Sequence, residues 1–83
     1  MYRVELTAEA KKGLKNLSKL HRRAVSMTID ELKENPTLGK PLGRELIGLF
    51  SLRVSSYRIV YKINKKDKKV LVLKAGHRSK VYD

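Results

Sequence analysis

The sequence predicts an α+β domain of the order β-α-α-β-β-β, in which a helical hairpin packs on one face of a mainly antiparallel sheet. Apolar residues recur with helical spacing between residues 8 and 34, and the prolines and glycines of residues 36–43 then interrupt that pattern. From residue 49 to residue 75 apolar and polar residues alternate, as they do in half-buried strands. Because 83 residues leave room for one core, residues 1–83 are predicted to form a single domain.

The first half of the chain carries the signals of a short strand followed by two helices. Residues 2–6 alternate in polarity and are predicted to form the strand. Thr7 and Ser18 are typical helix N-caps, and each precedes apolar residues spaced along one helical face. The pair Asn35–Pro36 ends the second stripe, because the residue before a proline disfavours helical backbone. Almost no loop separates the two helices, so we expect a helical hairpin.

The second half predicts three strands, at residues 49–54, 57–64 and 70–75. The connections between them are short and polar, so an antiparallel meander is the simplest topology. Alternation assigns the side chains to two faces of the sheet. The face expected to meet the helices holds Phe50, Leu52, Val54, Tyr57, Ile59, Tyr61 and Ile63, and the opposite face holds Ser51, Arg53, Arg58, Val60 and Lys62.

The connection Ser55–Ser56 predicts a two-residue turn that fixes the register of two strands. It places Arg53 directly across from Arg58. Like charges at such a position destabilise a sheet, so the pair favours an anion-binding site. The alternative is that both guanidinium groups extend into water. A slip of one residue in the register would separate them.

The charge of the chain points to an anionic partner. The sequence contains 20 Lys and Arg against 8 Asp and Glu, a net charge of +12. Residues 1–37 hold eight basic and five acidic residues, whereas residues 38–83 hold twelve and three, so the second half carries most of the positive field. Nucleic acid is the first expectation, an acidic protein the second and a membrane surface the third.

The sequence lacks the signatures of metal-dependent and nucleotide-dependent enzymes. No set of His, Asp and Glu has metal-ligand spacing, and residues 39–43 lack the P-loop pattern, so we expect no metal and no cofactor. The absence of cysteine excludes disulfides, zinc–thiolate sites and a cysteine nucleophile. No apolar run approaches the length of a membrane span, and the N-terminus is unlike a signal peptide. We therefore expect a soluble, cytoplasmic protein.

A basic cleft without a metal can still cleave RNA. The substrate's own 2′-OH attacks the adjacent phosphate and leaves a 2′,3′-cyclic phosphate, so the protein positions the strand, moves protons and stabilises the phosphorane. Arginine suits the last task because its planar fork binds phosphate oxygens in pairs. The run of residues 75–82 gathers suitable groups, although a frayed basic tail is the alternative. Those groups are His77, Arg78, Lys80 and Tyr82.

Two motifs stand out in the basic half: LRVSSYRIVY at residues 52–61 and GHRSKVY at residues 76–82. Together, in so short a chain, they resemble the RelE/ParE superfamily of prokaryotic toxin–antitoxin toxins, on the RelE side. The resemblance covers nearly the whole chain. It implies a ribosome-dependent endonuclease that cuts mRNA in the A site without a metal. It also implies a RelB-like, acidic antitoxin, with a toxin that is monomeric when free and hetero-oligomeric with that antitoxin.

The resemblance also implies roles for individual residues. Arg58 matches the arginine that holds the phosphate, and Arg78 matches the arginine that stabilises the leaving group. Tyr82 matches the terminal tyrosine that stacks on the target base or helps to activate the 2′-OH. The expected catalytic residues are therefore Arg58, Arg78, Tyr82 and His77, and the expected RNA-binding residues are Arg53, Lys40, Lys62 and Lys80.

One departure from the family pattern leaves the general base open. Some relatives carry lysines on the strand before the Tyr-Arg motif, where this chain has Leu49 and Ser51. His77, Tyr82 or a loop lysine such as Lys40 could accept the proton instead, or activity could rest mainly on positioning of the strand. Two other functions remain as alternatives: a ParE-like inhibitor of DNA gyrase, and a non-catalytic module that binds RNA or a protein partner.

Overall fold

A computed structural model describes residues 1–43 and 48–77, which form two helices packed on a mixed five-stranded sheet. The elements in chain order are β1 (Arg3–Leu6), α1 (Ala8–Lys15), α2 (Lys19–Glu31), β2 (Lys40–Pro41), β3 (Leu49–Val54), β4 (Tyr57–Asn64) and β5 (Lys69–His77). The strand order in the sheet is β1-β5-β4-β3-β2. Strand β1 runs parallel to β5, and the other pairs are antiparallel. The predicted α+β architecture is confirmed.

The helices begin where the sequence predicts. The Oγ1 atom of Thr7 accepts a hydrogen bond from the amide of Ala10 at 3.1 Å, and the Oγ atom of Ser18 accepts one from the amide of His21 at 3.4 Å. Each cap satisfies a backbone N–H that the helix itself cannot pair. Helix α2 ends at Glu31, slightly earlier than predicted, because the next amides bond to carbonyls three residues back and tighten the chain into turns.

A β-bulge in β5 controls which side chains face the helices. The pairing of β4 with β5 shifts between Val60 and Tyr61, where Leu73 is the extra residue on β5. The hydroxyl of Thr7 donates to the carbonyl of Leu73 at 2.7 Å, so the start of α1 is tied to the bulge. Before the bulge Val72 faces the core, and after it Ala75 does. A bulge of one residue reverses the alternation beyond it.

The core lies between the helices and one face of the sheet, as the alternation predicts. Tyr61 and Ile59 are fully buried at the centre of β4, next to Val70 and Val72 of β5. The helices contribute buried side chains from one stripe each. The core cluster consists of Ala10, Leu17, Val25, Ile29, Leu32, Ile59, Tyr61, Ile63, Val70 and Val72, with Phe50, Leu52, Val54 and Tyr57 packed against it.

Candidate nucleic-acid interface

The sheet face that points away from the helices, here called the outer face, carries the predicted arginine pair. The turn at Ser55–Ser56 places Val54 opposite Tyr57, and Arg53 directly opposite Arg58. Ser55 has φ of 57°, in the left-handed region that tight hairpin turns require. Arg53 is exposed and Arg58 is half-buried. The predicted register is therefore confirmed, and two guanidinium groups project from adjacent strands on one face.

A groove of about 560 Å³ runs along the edge of the sheet beside this pair. Strand β2 forms its outer wall and pairs Lys40 with Ser51, so Lys40 lies on the same face as the arginines. The structure thus brings Lys40, Arg53 and Arg58 together in one groove. The other residues that line it are Leu38, Gly39, Pro41, Leu42, Ser51 and Leu52. Among these described lining residues there is no carboxylate, so the groove favours anionic ligands.

The phenol of Tyr61 holds the segment that carries Lys40. It donates to the carbonyl of Pro36 at 2.8 Å and accepts from the amide of Gly39 at 2.8 Å. At Gly39 a Cβ atom would lie 2.8 Å from the carbonyl oxygen of Ser51, so only glycine allows this close approach. Burial raises the pKa of Tyr61 above 10.0, and the hydrogen bond from Gly39 partly opposes that shift.

Replacing Tyr61 by phenylalanine is expected to lower the free energy of unfolding by about 1–3 kcal/mol, because a buried amide and a carbonyl lose their partner. Urea denaturation measures this loss. The matched control is Tyr2→Phe, whose hydroxyl makes no hydrogen bond within the described residues. An equal loss in both variants would contradict the anchoring role.

The raised pKa of Tyr61 predicts that the stability of the fold depends on pH. Since the pKa of Tyr61 is raised in the folded state, its contribution to stability is fully present below pH 10.0. That contribution is lost as the pH rises through the folded-state pKa, because the unfolded phenol ionises first. The stability difference between wild type and Tyr61→Phe should therefore shrink above pH 10.0. A difference that grows above that pH would contradict the assignment.

Lys62 shares the outer face but does not line the groove. It lies four residues beyond Arg58 on β4, a distance of about 13 Å along the strand. Its register partners are Leu49 on β3 and Leu71 on β5. Leu49 and Ser51, the two positions that depart from the family pattern, are on the outer face with Arg53. Val60 lies between Arg58 and Lys62 on β4, and it is 8% exposed.

His77 lies on the other side of the sheet from Arg58. It pairs with Tyr57, and their rings meet edge to face with centroids 5.8 Å apart. Both residues line a cavity of about 360 Å³ against α1, which includes Glu9 and Lys12. The structure therefore does not bring His77 to the arginine pair, and its catalytic role stays a prediction. Arg78, Lys80 and Tyr82 lie outside the described residues, so their predicted roles stay predictions as well.

A polar cluster on the helix side was not predicted. Nδ1 of His21 lies 2.7 Å from Oγ of Ser18 and 3.3 Å from Oη of Tyr57. The rings of His21 and Tyr57 are 4.9 Å apart. The spacing of Ser18 and His21 within the first turn of α2 was visible in the sequence. The contact with Tyr57 spans 36 residues and has no local signal.

Across residues 1–43 and 48–77, no group of three or more His, Asp or Glu is placed to hold a metal ion. No helix in the same ranges is long and apolar enough to cross a membrane.

Comparison with known proteins places this chain and its fold in a family. Residues 4–82 match the family model described as the ParE toxin of type II toxin–antitoxin system, parDE. The chain is 35% identical over 83 residues to Toxin RelG of Mycobacterium tuberculosis, covering 98% of this chain and 95% of that protein. It is 37% identical to Toxin RelE of the same organism, covering 98% of this chain and 86% of that protein.

Solved structures agree with the sequence matches. A chain of the toxin–antitoxin complex RelBE2 from M. tuberculosis superposes with a TM-score of 0.84 at 37% identity, covering 93% of this chain and 98% of that one. The archaeal RelE–RelB complex from Pyrococcus horikoshii gives 0.80 at 30% identity, covering 96% and 98%. The fold is thus that of a toxin of a type II toxin–antitoxin system. The chain belongs to the RelE/ParE superfamily, and its toxin relatives are of the RelE family.

Proposed function

We propose that this toxin is a ribosome-dependent, metal-independent mRNA endonuclease that inhibits translation. The observation that carries the proposal is the groove in which Lys40, Arg53 and Arg58 line one face without a carboxylate. Three positively charged side chains in one groove can stabilise the negative charge that develops on the phosphate oxygens as a phosphodiester becomes a phosphorane. The mechanism selects RNA over DNA because it uses the 2′-OH of the substrate.

The reaction needs no covalent chemistry from the protein. The 2′-oxygen attacks the adjacent phosphorus, its proton passes to a base, and the bond from phosphorus to the 5′-oxygen breaks as that oxygen gains a proton. Arg58 binds the nonbridging oxygens, and Arg53 across the ladder adds a second fork. Because Arg58 is half-buried, its interaction with the phosphate is less screened by water than that of a fully exposed guanidinium.

The general base comes from a short set of candidates. Apart from the arginines, Lys40 is the one titratable group among the described residues that line the groove. His77 is on the opposite face of the sheet, so Lys40 or Tyr82 fits the role better. In the proposal Arg78 stabilises the leaving oxygen and Tyr82 stacks on the base, as the family resemblance implies. Lys62 and Lys80 bind the RNA backbone.

Cleavage is tested in a translating extract to which the purified toxin is added and in which mRNA ends are mapped. We expect cuts within translated codons whose upstream fragments end in a 2′,3′-cyclic phosphate, the product of attack by the 2′-OH. Arg78→Ala should lower the cut frequency strongly. Intact mRNA with wild-type toxin, or equal cutting by Arg78→Ala, would contradict the proposal.

An acidic, RelB-like antitoxin is the proposed protein partner. The solved relatives above are toxin–antitoxin complexes, and the net charge of +12 favours an acidic partner. We propose a free toxin that is monomeric and cytoplasmic and that forms a hetero-oligomer with this antitoxin. Binding should raise the melting temperature in proportion to the logarithm of antitoxin concentration above Kd. An unchanged melting temperature with saturating antitoxin would contradict it.

Inhibition of DNA gyrase is the second candidate function. It is favoured by one observation, the match to a family model described for ParE toxins. A supercoiling assay with purified gyrase separates the two functions, because an RNA-cleaving toxin should leave supercoiling unchanged. If supercoiling is inhibited and mRNA stays intact, the gyrase function replaces the first proposal.

A further inference from the structure

The turn between β4 and β5 carries several positively charged side chains close together in the sequence. Residues 64–69 read Asn-Lys-Lys-Asp-Lys-Lys. Lys65, Lys66 and Lys68, here called the lysine tip, are exposed, and none takes part in an ion pair within the described residues. Lys69 differs, since its Nζ atom lies 3.6 Å from Oε1 of Glu5. Three ammonium groups therefore project from one turn with their charge uncompensated by a salt bridge.

The carboxylate of the turn bonds to the side chain of Asn64 and forms no ion pair with the three lysines. Oδ2 of Asp67 accepts a hydrogen bond from Nδ2 of Asn64 at 3.1 Å, and the amide of Asp67 donates to Oδ1 of Asn64 at 3.1 Å. These bonds close the turn and hold its shape. The side chains that shape the turn are those of Asn64 and Asp67. The lysines contribute a backbone bond, from the amide of Lys68 to the carbonyl of Lys65 at 3.4 Å, but their side chains take no part.

Lys68 occupies a backbone conformation that lysine does not favour. Its φ angle is 50°, in the left-handed region where glycine or asparagine fits without strain. A turn selected for stability alone would place glycine there and would not surround it with other lysines. Both the strain and the repulsion between the lysines destabilise the folded chain. This cost indicates that the positive charge serves to bind another molecule.

We propose that the lysine tip docks on the phosphate backbone of duplex RNA, at a site separate from the groove of Lys40, Arg53 and Arg58. Lys65 lies seven positions beyond Arg58, about 23 Å along an extended strand. The tip therefore contacts phosphates other than the one to be cleaved. The identity of the ligand as RNA rests on the proposed function.

The composition of the tip favours duplex over single-stranded RNA. Residues 64–69 contain no aromatic side chain, so the tip offers no surface on which an unpaired base could stack. Ammonium groups on flexible stems bind phosphates as point charges and read no sequence. A duplex presents regularly spaced phosphates and shields its bases, which suits such a contact. The tip then orients the toxin and leaves sequence selection to the groove.

The test compares two triple variants with equal loss of charge. One replaces Lys65, Lys66 and Lys68 by glutamine, and the control replaces the exposed Lys11, Lys15 and Lys19 of the helices. Binding to a short blunt RNA duplex, and to purified ribosomes, is measured between about 50 and 200 mM salt. We expect the tip variant to bind at least tenfold more weakly at low salt, with a salt slope shallower by about 2–3, and the control to stay close to wild type.

A single substitution adds an independent readout. Lys68→Gly removes both the strain and one charge, so it should raise the melting temperature while weakening duplex binding. A wild-type salt slope in the tip variant, an equal loss in both triple variants, or Lys68→Gly with unchanged binding would overturn the proposal. Preferential binding of the tip to an acidic protein or to anionic vesicles, with none to the duplex, would also overturn it.

Failure of this inference is distinguishable from failure of the proposed function. If wild-type toxin cleaves mRNA but both triple variants bind alike, the docking role is wrong and the endonuclease stands. If wild type cleaves nothing but the tip variant alone loses duplex binding, the endonuclease is wrong and the docking site stands.

Discussion

Replacing Arg58 by alanine is expected to lower the rate of mRNA cleavage on ribosomes by about 10²- to 10³-fold. The arginine lines the groove from the middle of the sheet, where its fork can bind two oxygens of the developing phosphorane. Arg58→Lys keeps the charge but loses the paired geometry, so it should recover only part of the rate. Single-turnover cleavage of mRNA on preassembled ribosomes measures both effects apart from binding.

The matched control for this substitution is Arg23→Ala, an exposed arginine on α2 that removes the same charge far from the groove. It should cleave at close to the wild-type rate. Equal rates for wild type and Arg58→Ala would remove Arg58 from the reaction. A loss of the same size in Arg23→Ala would mean that net charge, and not the groove, controls cleavage.

Replacing Arg53, which lies opposite Arg58, should change cleavage and stability in different directions. Because the like charges of the pair destabilise the β3–β4 ladder, Arg53→Ala should leave the free energy of unfolding unchanged or raise it by up to about 1 kcal/mol. The same variant should cleave more slowly than wild type. Opposite directions in the two measurements indicate a residue retained for an anion, whereas a parallel loss of both would indicate a structural role.

Much of the fold follows from local signals in the sequence. Thr7 and Ser18 mark the helix starts, and the two-residue turn at Ser55–Ser56 fixes the register that brings Arg53 to Arg58. These features depend on neighbours within a few positions, so the sequence contains them. Two features do not. Strand β2 has only two residues and no periodicity, and the parallel partner of β1 is β5, more than sixty positions along the chain.

One extra residue in β5 changes the face of the sheet on which His77 lies. Counting in steps of two from Val70 and Val72, which face the core, puts His77 on the outer face with Arg58. The bulge at Leu73 shifts the count by one, so Ala75 and His77 turn to the helix side and Lys74 turns outward. No sequence pattern here marks the bulge. It keeps a lysine out of the core, and it moves the histidine away from the predicted site.

The second large effect is expected at Gly13, where α1 crosses β5 just beyond the bulge. A Cβ atom on Gly13 would overlap the carbonyl oxygen of Ala75, so no side chain fits unless the helix moves. On an exposed helix surface, Gly→Ala would stabilise by about 1 kcal/mol. Here the clash is with backbone, which cannot rotate away, and Gly13→Ala should instead destabilise the domain by about 1–3 kcal/mol.

Urea denaturation of Gly13→Ala shows whether the free energy of unfolding rises or falls. A fall means that the backbone clash outweighs the higher helix propensity of alanine. The control is Lys11→Ala, an exposed position of the same helix, where we expect a change within about 0.5 kcal/mol. A stabilised Gly13→Ala variant would mean that α1 is free to move off the sheet. Because Thr7 ties the start of α1 to Leu73 and Ala10 is fully buried, a rigid helix that transmits the clash is the expected result.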